Sequence, residues 1–101
     1  MPSKTIYLTA LATTDATNGG YRQLDSSISG TVEVLLHAGA ECQLVTEKAN
    51  GADALTAASA NGRFNITGSV TTPVRLRLNP STSWIRSNSA SSTTVYAFLD
   101  W

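Results

Sequence analysis

The chain of 101 residues holds one cysteine, one histidine, one methionine and three prolines, and only 14% of it is charged. A lone Cys42 cannot form an internal disulfide, so the fold does not rest on the staples of small secreted domains. With His37 as the single histidine beside that single thiol, no zinc site of the usual kind can be built within one chain. Basic and acidic residues number seven each. That balance lacks the basic excess that nucleic acid or an anionic membrane surface attracts. No apolar run approaches the roughly 20 residues of a spanning helix, and Met1-Pro2-Ser3-Lys4 leads into a short alternating stretch rather than a signal peptide. The expectation is a protein made in a cytoplasm, with no cofactor, no metal, and neither nucleic acid nor membrane as partner.

What the chain does have is serine and threonine: twelve Ser and fourteen Thr, about a quarter of the residues. The threonines mostly alternate with Ile, Val, Leu and aromatics, as on the solvated face of a sheet. Three Asn-Gly pairs (Asn18-Gly19, Asn50-Gly51, Asn61-Gly62) supply the positive-φ residues that tight reversals between strands need. Strands are expected at Lys4–Leu11, Tyr21–Leu24 (a short strand or an extended arm), Ser29–His37, Glu41–Glu47, Arg63–Thr67, Val74–Leu78, Ser83–Arg86 and Thr93–Trp101. The short Gly-containing link Ala38-Gly39-Ala40 suits a hairpin between the third and fourth. Pro73 opens the cleanest alternation, with Val74, Leu76 and Leu78 inward and Arg75 and Arg77 outward; proline is acceptable at a strand's start or on an edge. Asn18-Gly19 closes a longer loop. The other two Asn-Gly pairs bracket residues that fit a short alanine-rich helix, a loop or an edge strand. The pattern predicts one all-β domain over 1–101, an antiparallel β-sandwich or small barrel of about seven or eight short strands.

The candidate chemistry is thin. A Ser–His–Asp set would need His37, but no G-x-S-x-G elbow surrounds any serine. Cys42 alternates with Leu44 as a small buried residue does, although a hairpin could bring it near His37. Asp15 to Gly19 carries two oxygen side chains but not the twelve-residue calcium pattern. Asn65-Ile66-Thr67 is a glycosylation triplet without a secretion signal. No catalytic, cofactor or metal residue is assigned.

Surface chemistry is the stronger theme. Arg75 and Arg77 share a face, and Arg63 and Arg86 would extend it into a basic stripe if their strands pair. Trp84, Trp101, Tyr7, Tyr21 and Tyr96 could stack on a sugar, or anchor the core and an interface. In the last strand Val95, Ala97, Leu99 and Trp101 lie on one face and Tyr96, Phe98 and Asp100 on the other. Both faces are largely apolar, so the strand should be central or covered by a partner. The candidate interface set is Arg75, Arg77, Trp84, Tyr96, Phe98 and Trp101.

In its Met1-Pro2-Ser3-Lys4 start, its Ser87-Asn88-Ser89-Ala90-Ser91-Ser92 turn and its apolar closing strand Thr93–Trp101, the chain resembles small β-rich structural proteins of tailed bacteriophage virions, the head-decoration and head–tail or tail components. The resemblance implies a non-enzymatic subunit located in a virion, acting through its surface in a homo-oligomer or on other structural subunits such as capsid or tail protein. The alternative is a carbohydrate-binding β-sandwich module with a glycan as partner.

Overall fold

The computed structural model describes residues 2–14, 18–59, 62–66 and 73–101. Eight strands run β1 (Ser3–Ala10), β2 (Arg22–Gln23), β3 (Val32–Ala38), β4 (Cys42–Val45), β5 (Phe64–Ile66), β6 (Val74–Leu78), β7 (Trp84–Ser87) and β8 (Thr93–Asp100), with one helix, α1 (Gly51–Ser59), between β4 and β5. They form two antiparallel four-stranded sheets, in orders β1-β8-β3-β6 and β2-β7-β4-β5. The predicted all-β class holds, and two open sheets face one another as a sandwich.

Alternation builds the core. Leu8 and Ala10 of β1, Val32, Val34 and Leu36 of β3, Leu78 of β6, and Val95, Ala97 and Leu99 of β8 all turn to one side of the first sheet. Cys42 and Leu44 of β4, Ile66 of β5 and Ile85 of β7 answer from the second. Burial of these faces is the main stabilising term.

The chain threads back and forth between the sheets. Every connection crosses from one to the other except β4–α1–β5. The hairpin expected between Ser29–His37 and Glu41–Glu47 is therefore not formed. β3 pairs with β6 and β8, and β4 with β5 and β7. The Gly39 N–H bonds to the Thr94 carbonyl (3.0 Å), which holds the link to the first sheet as it leaves. A short glycine link serves a sheet-to-sheet crossing as well as a hairpin.

The segment left open after Asn50-Gly51 is helix. The Asn50 side chain accepts from the Asp53 N–H (2.9 Å) and its carbonyl from Ala54 (3.1 Å), so Asn50 caps α1. The first Asn-Gly pair sits beside it: Asn18 and Gly19 take positive φ (52° and 61°) in a single 3₁₀ turn, and the Asn18 side chain occupies the space a Cβ on Gly51 would need. Asn61 of the third pair, Asp15 of the calcium-like loop and Thr67 of the triplet lie outside the described residues.

Two substitutions test this architecture by chemical denaturation. Leu36→Ala, which empties a fully buried site at the centre of the first sheet, should lower stability by about 2–5 kcal/mol. Asn50→Ala should cost about 1 kcal/mol through the lost cap of α1.

Candidate interface

The two sheets differ in what covers their backs. On the outer side of the second sheet, Val45 packs with Tyr21 and with Ala54 of α1, and Leu55, Ala57 and Trp84 close around them. On the outer side of the first sheet no element of the described residues is packed.

Strand register fixes what that open face displays. Three cross-strand rows run over it: Ser3–Asp100–Glu33–Arg77, then Thr5–Phe98–Leu35–Arg75, then Tyr7–Tyr96–His37. Tyr7 is 65% exposed, Phe98 44% and Tyr96 37%, high values for aromatics at mid-strand. The Tyr7 and Tyr96 rings meet edge to face at 4.8 Å between centroids, a favourable geometry for cross-strand aromatics. The Tyr7 phenol beside it, with some desolvation, raises the Tyr96 phenol above its ordinary pKa. His37 stands next, its ring centroid 6.4 Å from that of Tyr96. Its Nε2 is buried without a hydrogen-bond partner among the described residues. Arg75 bridges to Glu33 at 2.9 Å across the first two rows. A groove of about 490 Å³ lies along Thr5, Glu33, Leu35, Arg75 and Phe98.

Of the six interface candidates, Arg75, Arg77, Tyr96 and Phe98 come together on this face. Trp84 lies on the other sheet, half-buried beneath α1, and its indole N–H donates to the Lys48 carbonyl (2.9 Å). Its packing against α1 makes Trp84 a structural anchor of the second sheet. Trp101 lies beyond the end of β8, its side chain 41% exposed and its N–H bonded to the Pro2 carbonyl. The expected cover on both sides of the last strand is met on one. β8 is central and its inner face is sealed, but Tyr96 and Phe98 face outward uncovered by any described residue.

The basic stripe does not form. Arg75 and Arg77 belong to the first sheet and Arg86 to the second, where it is half-buried. There Arg86 donates to Gln43 (2.9 Å) and to the Gly19 carbonyl (2.9 Å) and stacks over the Tyr21 ring at 4.6 Å. Burial raises the Tyr21 phenol pKa, with Arg86 and then Arg63 opposing it. Arg86 thus ties the Asn18–Gly20 turn to the sheet. Arg63 precedes β5, also away from the open face.

His37 and Cys42 are not partners. His37 points outward from β3, while Cys42 is wholly buried in the core from β4. Burial, with Glu41 as a smaller cause, pushes the Cys42 thiol up to about 11. Such a thiol is a poor nucleophile at neutral pH. Among the described residues no group of His, Cys, Asp or Glu is placed to hold a metal ion.

Sequence reasoning leaves Thr5, Glu33 and Leu35 out of the interface, and places Tyr7 only among aromatics that could stack on a sugar or anchor the core and an interface. Alternation marked each as outward, but only strand order shows that they adjoin Phe98 and Tyr96. Comparison of the chain with protein-family models, with curated proteins and with solved structures found no match in any of the three.

The Cys42 environment carries a pH signature. The folded thiol keeps its proton up to about 11, against 9.0 in the unfolded chain. Its contribution is therefore fully present below pH 9 and lost as pH rises towards 11, a fall of about 2–3 kcal/mol. Denaturation from pH 8 to 11 should show this decline, and Cys42→Ala should make it shallower, leaving the part due to the raised Tyr21 and Tyr96 phenols. A thiol reagent at pH 8 should modify Cys42 only on unfolding.

Proposed function

We propose that the protein is a non-enzymatic structural subunit that works through its surface in a homo-oligomeric or virion assembly. The observation that carries the reading is the uncovered outer face of β8 and its neighbours, where Tyr7, Tyr96 and Phe98 are held out by a rigid sheet while the opposite sheet is roofed by α1. Contiguous exposed apolar surface of this kind marks interaction sites, and tyrosine, phenylalanine and arginine are the residue types enriched there. With few charges and none in net excess, copies of the chain meet little long-range repulsion. Cys42 is buried with a raised pKa and stands apart from His37, so these two do not form a nucleophile–base pair.

The finer setting, a decoration or head–tail component of a tailed-phage virion, rests on the sequence style described above. The glycan alternative gains no support from Trp84, whose indole is engaged, or from the edge-to-face Tyr7–Tyr96 pair, which is not a flat stacking platform.

Native mass measurement tests the reading. Wild type should exceed the 10.6 kDa of one chain, and Phe98→Glu should weaken association by at least about tenfold, the effect of losing one aromatic anchor. A wild type that remains a monomer at about 100 µM, a concentration at which even weak specific contacts are populated, would contradict it.

A further inference from the structure

We propose that Asn18-Gly19 and Asn50-Gly51 are two sites of spontaneous deamidation held inactive by α1, so that each asparagine converts only when the helix lifts from the second sheet.

The chemistry needs only the chain and water. The glycine backbone nitrogen attacks the asparagine Cγ. A C–N bond forms, the Cγ–Nδ2 bond breaks, and ammonia leaves carrying the amide proton. Water then opens the cyclic imide at one carbonyl to give aspartate, or at the other to give isoaspartate. Glycine is the successor that least hinders ring closure, since it has no Cβ and its backbone turns freely. Closure still requires the asparagine side chain to swing onto the next nitrogen and the peptide between them to rotate.

Both motions are blocked where the two pairs meet α1. Asn50 Oδ1 accepts from the Asp53 N–H (2.9 Å), and Asn50 Nδ2 donates to Asp53 Oδ2 (3.2 Å). The Asn50 carbonyl accepts from the Ala54 N–H (3.1 Å). The Asn50-Gly51 peptide is thus fixed at the helix start, with its carboxamide tied ahead to Asp53. Asn18 is held by Gly51: its Cγ and Nδ2 fill the space that a Cβ on Gly51 would need. Gly19 lies against α1 in turn, where an added Cβ would stand 2.7 Å from Leu55 Cδ1. From the other side Arg86 donates to the Gly19 carbonyl (2.9 Å). The glycine of the third pair is also tied to the helix, the Gly62 N–H donating to the Ala57 carbonyl (2.6 Å).

The same helix is the element best suited to lift. Its nine residues are too few to persist as a helix without their packing. That packing sets Ala54, Leu55 and Ala57 against Val45, Tyr21 and Trp84, a cluster separate from the core between the sheets. Local opening of such a unit takes less free energy than unfolding the whole domain. Each conversion therefore records an opening of the roof as a permanent change of mass and charge.

Peptide mapping by mass spectrometry of the full chain, incubated at pH 8 with and without urea, tests the proposal. In the native protein Asn18 and Asn50 should each convert at least about tenfold more slowly than in the unfolded chain. Gly51→Ala should separate the two sites. Its Cβ takes the place of the Asn18 side chain, so conversion at Asn18 should rise at least about tenfold. Conversion at Asn50 should fall, because alanine obstructs ring closure. Leu55→Ala keeps both Asn-Gly pairs and loosens the helix, so it should speed both. Leu36→Ala weakens the core but spares the contacts of α1, and should leave both native rates unchanged. Circular dichroism checks that each variant is folded; if Gly51→Ala is not, Leu55→Ala decides alone. Native conversion as fast as in urea overturns the proposal, and so does an Asn18 rate that neither folded α1 variant changes. Acceleration by Leu36→Ala equal to that by Leu55→Ala also overturns it, since global unfolding would then be what exposes the sites.

Discussion

The structure depends on β8. This strand bonds to β1 on one side and β3 on the other along nearly its whole length. Its inner face, Val95, Ala97 and Leu99, is shut off from water at the centre of the core. Because side chains alternate with a period of two, fixing that inner face fixes the outer one: Tyr96 and Phe98 must point away from the core. A one-residue slip would exchange the two sets and bring Asp100 inward. The same pairing sets the rows that align Tyr7, Leu35, His37, Glu33 and Arg75 beside them. The exposed aromatics thus follow directly from the burial that holds the domain together.

The two halves of the sandwich resolve the question of cover differently. In the second sheet, Val45 would also point outward into water, but α1 and the Asn18–Gly20 turn close over it with Tyr21, Ala54 and Trp84. The half-buried Arg86, bonded to Gln43 and Gly19 and lying on the Tyr21 ring, fastens that roof. In the first sheet the outward residues have no roof among the described residues. The chain invests its helix in one face and leaves the more aromatic face open. The proposed role as an interaction surface rests on that asymmetry.

Much of this was legible in the sequence, because alternation is a local property. The inward sets of β1, β3, β6 and β8 were readable from Ile, Val and Leu at every second position, and Pro73, compatible with a strand start or an edge, stands just before β6, which is an edge strand. The conspicuous aromatic-rich second face of β8 also pointed to an interface. What failed was connectivity. The Ala38-Gly39-Ala40 link looks locally like a hairpin, and only the long-range pairing of β3 with β8 and β4 with β7 sends its two ends to different sheets. The Asn-Gly pairs signal strand reversals in general, although Asn18-Gly19 reads as the close of a longer loop and the other two as brackets of an open segment. In the fold Asn18-Gly19 makes a 3₁₀ turn and Asn50-Gly51 starts a helix, because the same Asn side chain that favours turns also caps. The helical residues 51–59 were ambiguous because alanine content alone does not separate helix from loop; the Asn50–Asp53 contact that decides it is a three-residue spacing visible in the sequence. The composition of the open face was the least legible part. It assembles residues from four strands, and register between distant strands is not written in any one of them.

The most direct test of the central claim is hydroxyl-radical footprinting of the aromatic side chains as protein concentration rises. Phe64 on β5, 61% exposed and away from the open face, serves as the internal reference. The account predicts that Tyr7, Tyr96 and Phe98 become protected together at high concentration while Phe64 stays as reactive as in dilute solution. Unchanged reactivity of those three over a range in which the mass rises, or protection centred on Phe64, would contradict it.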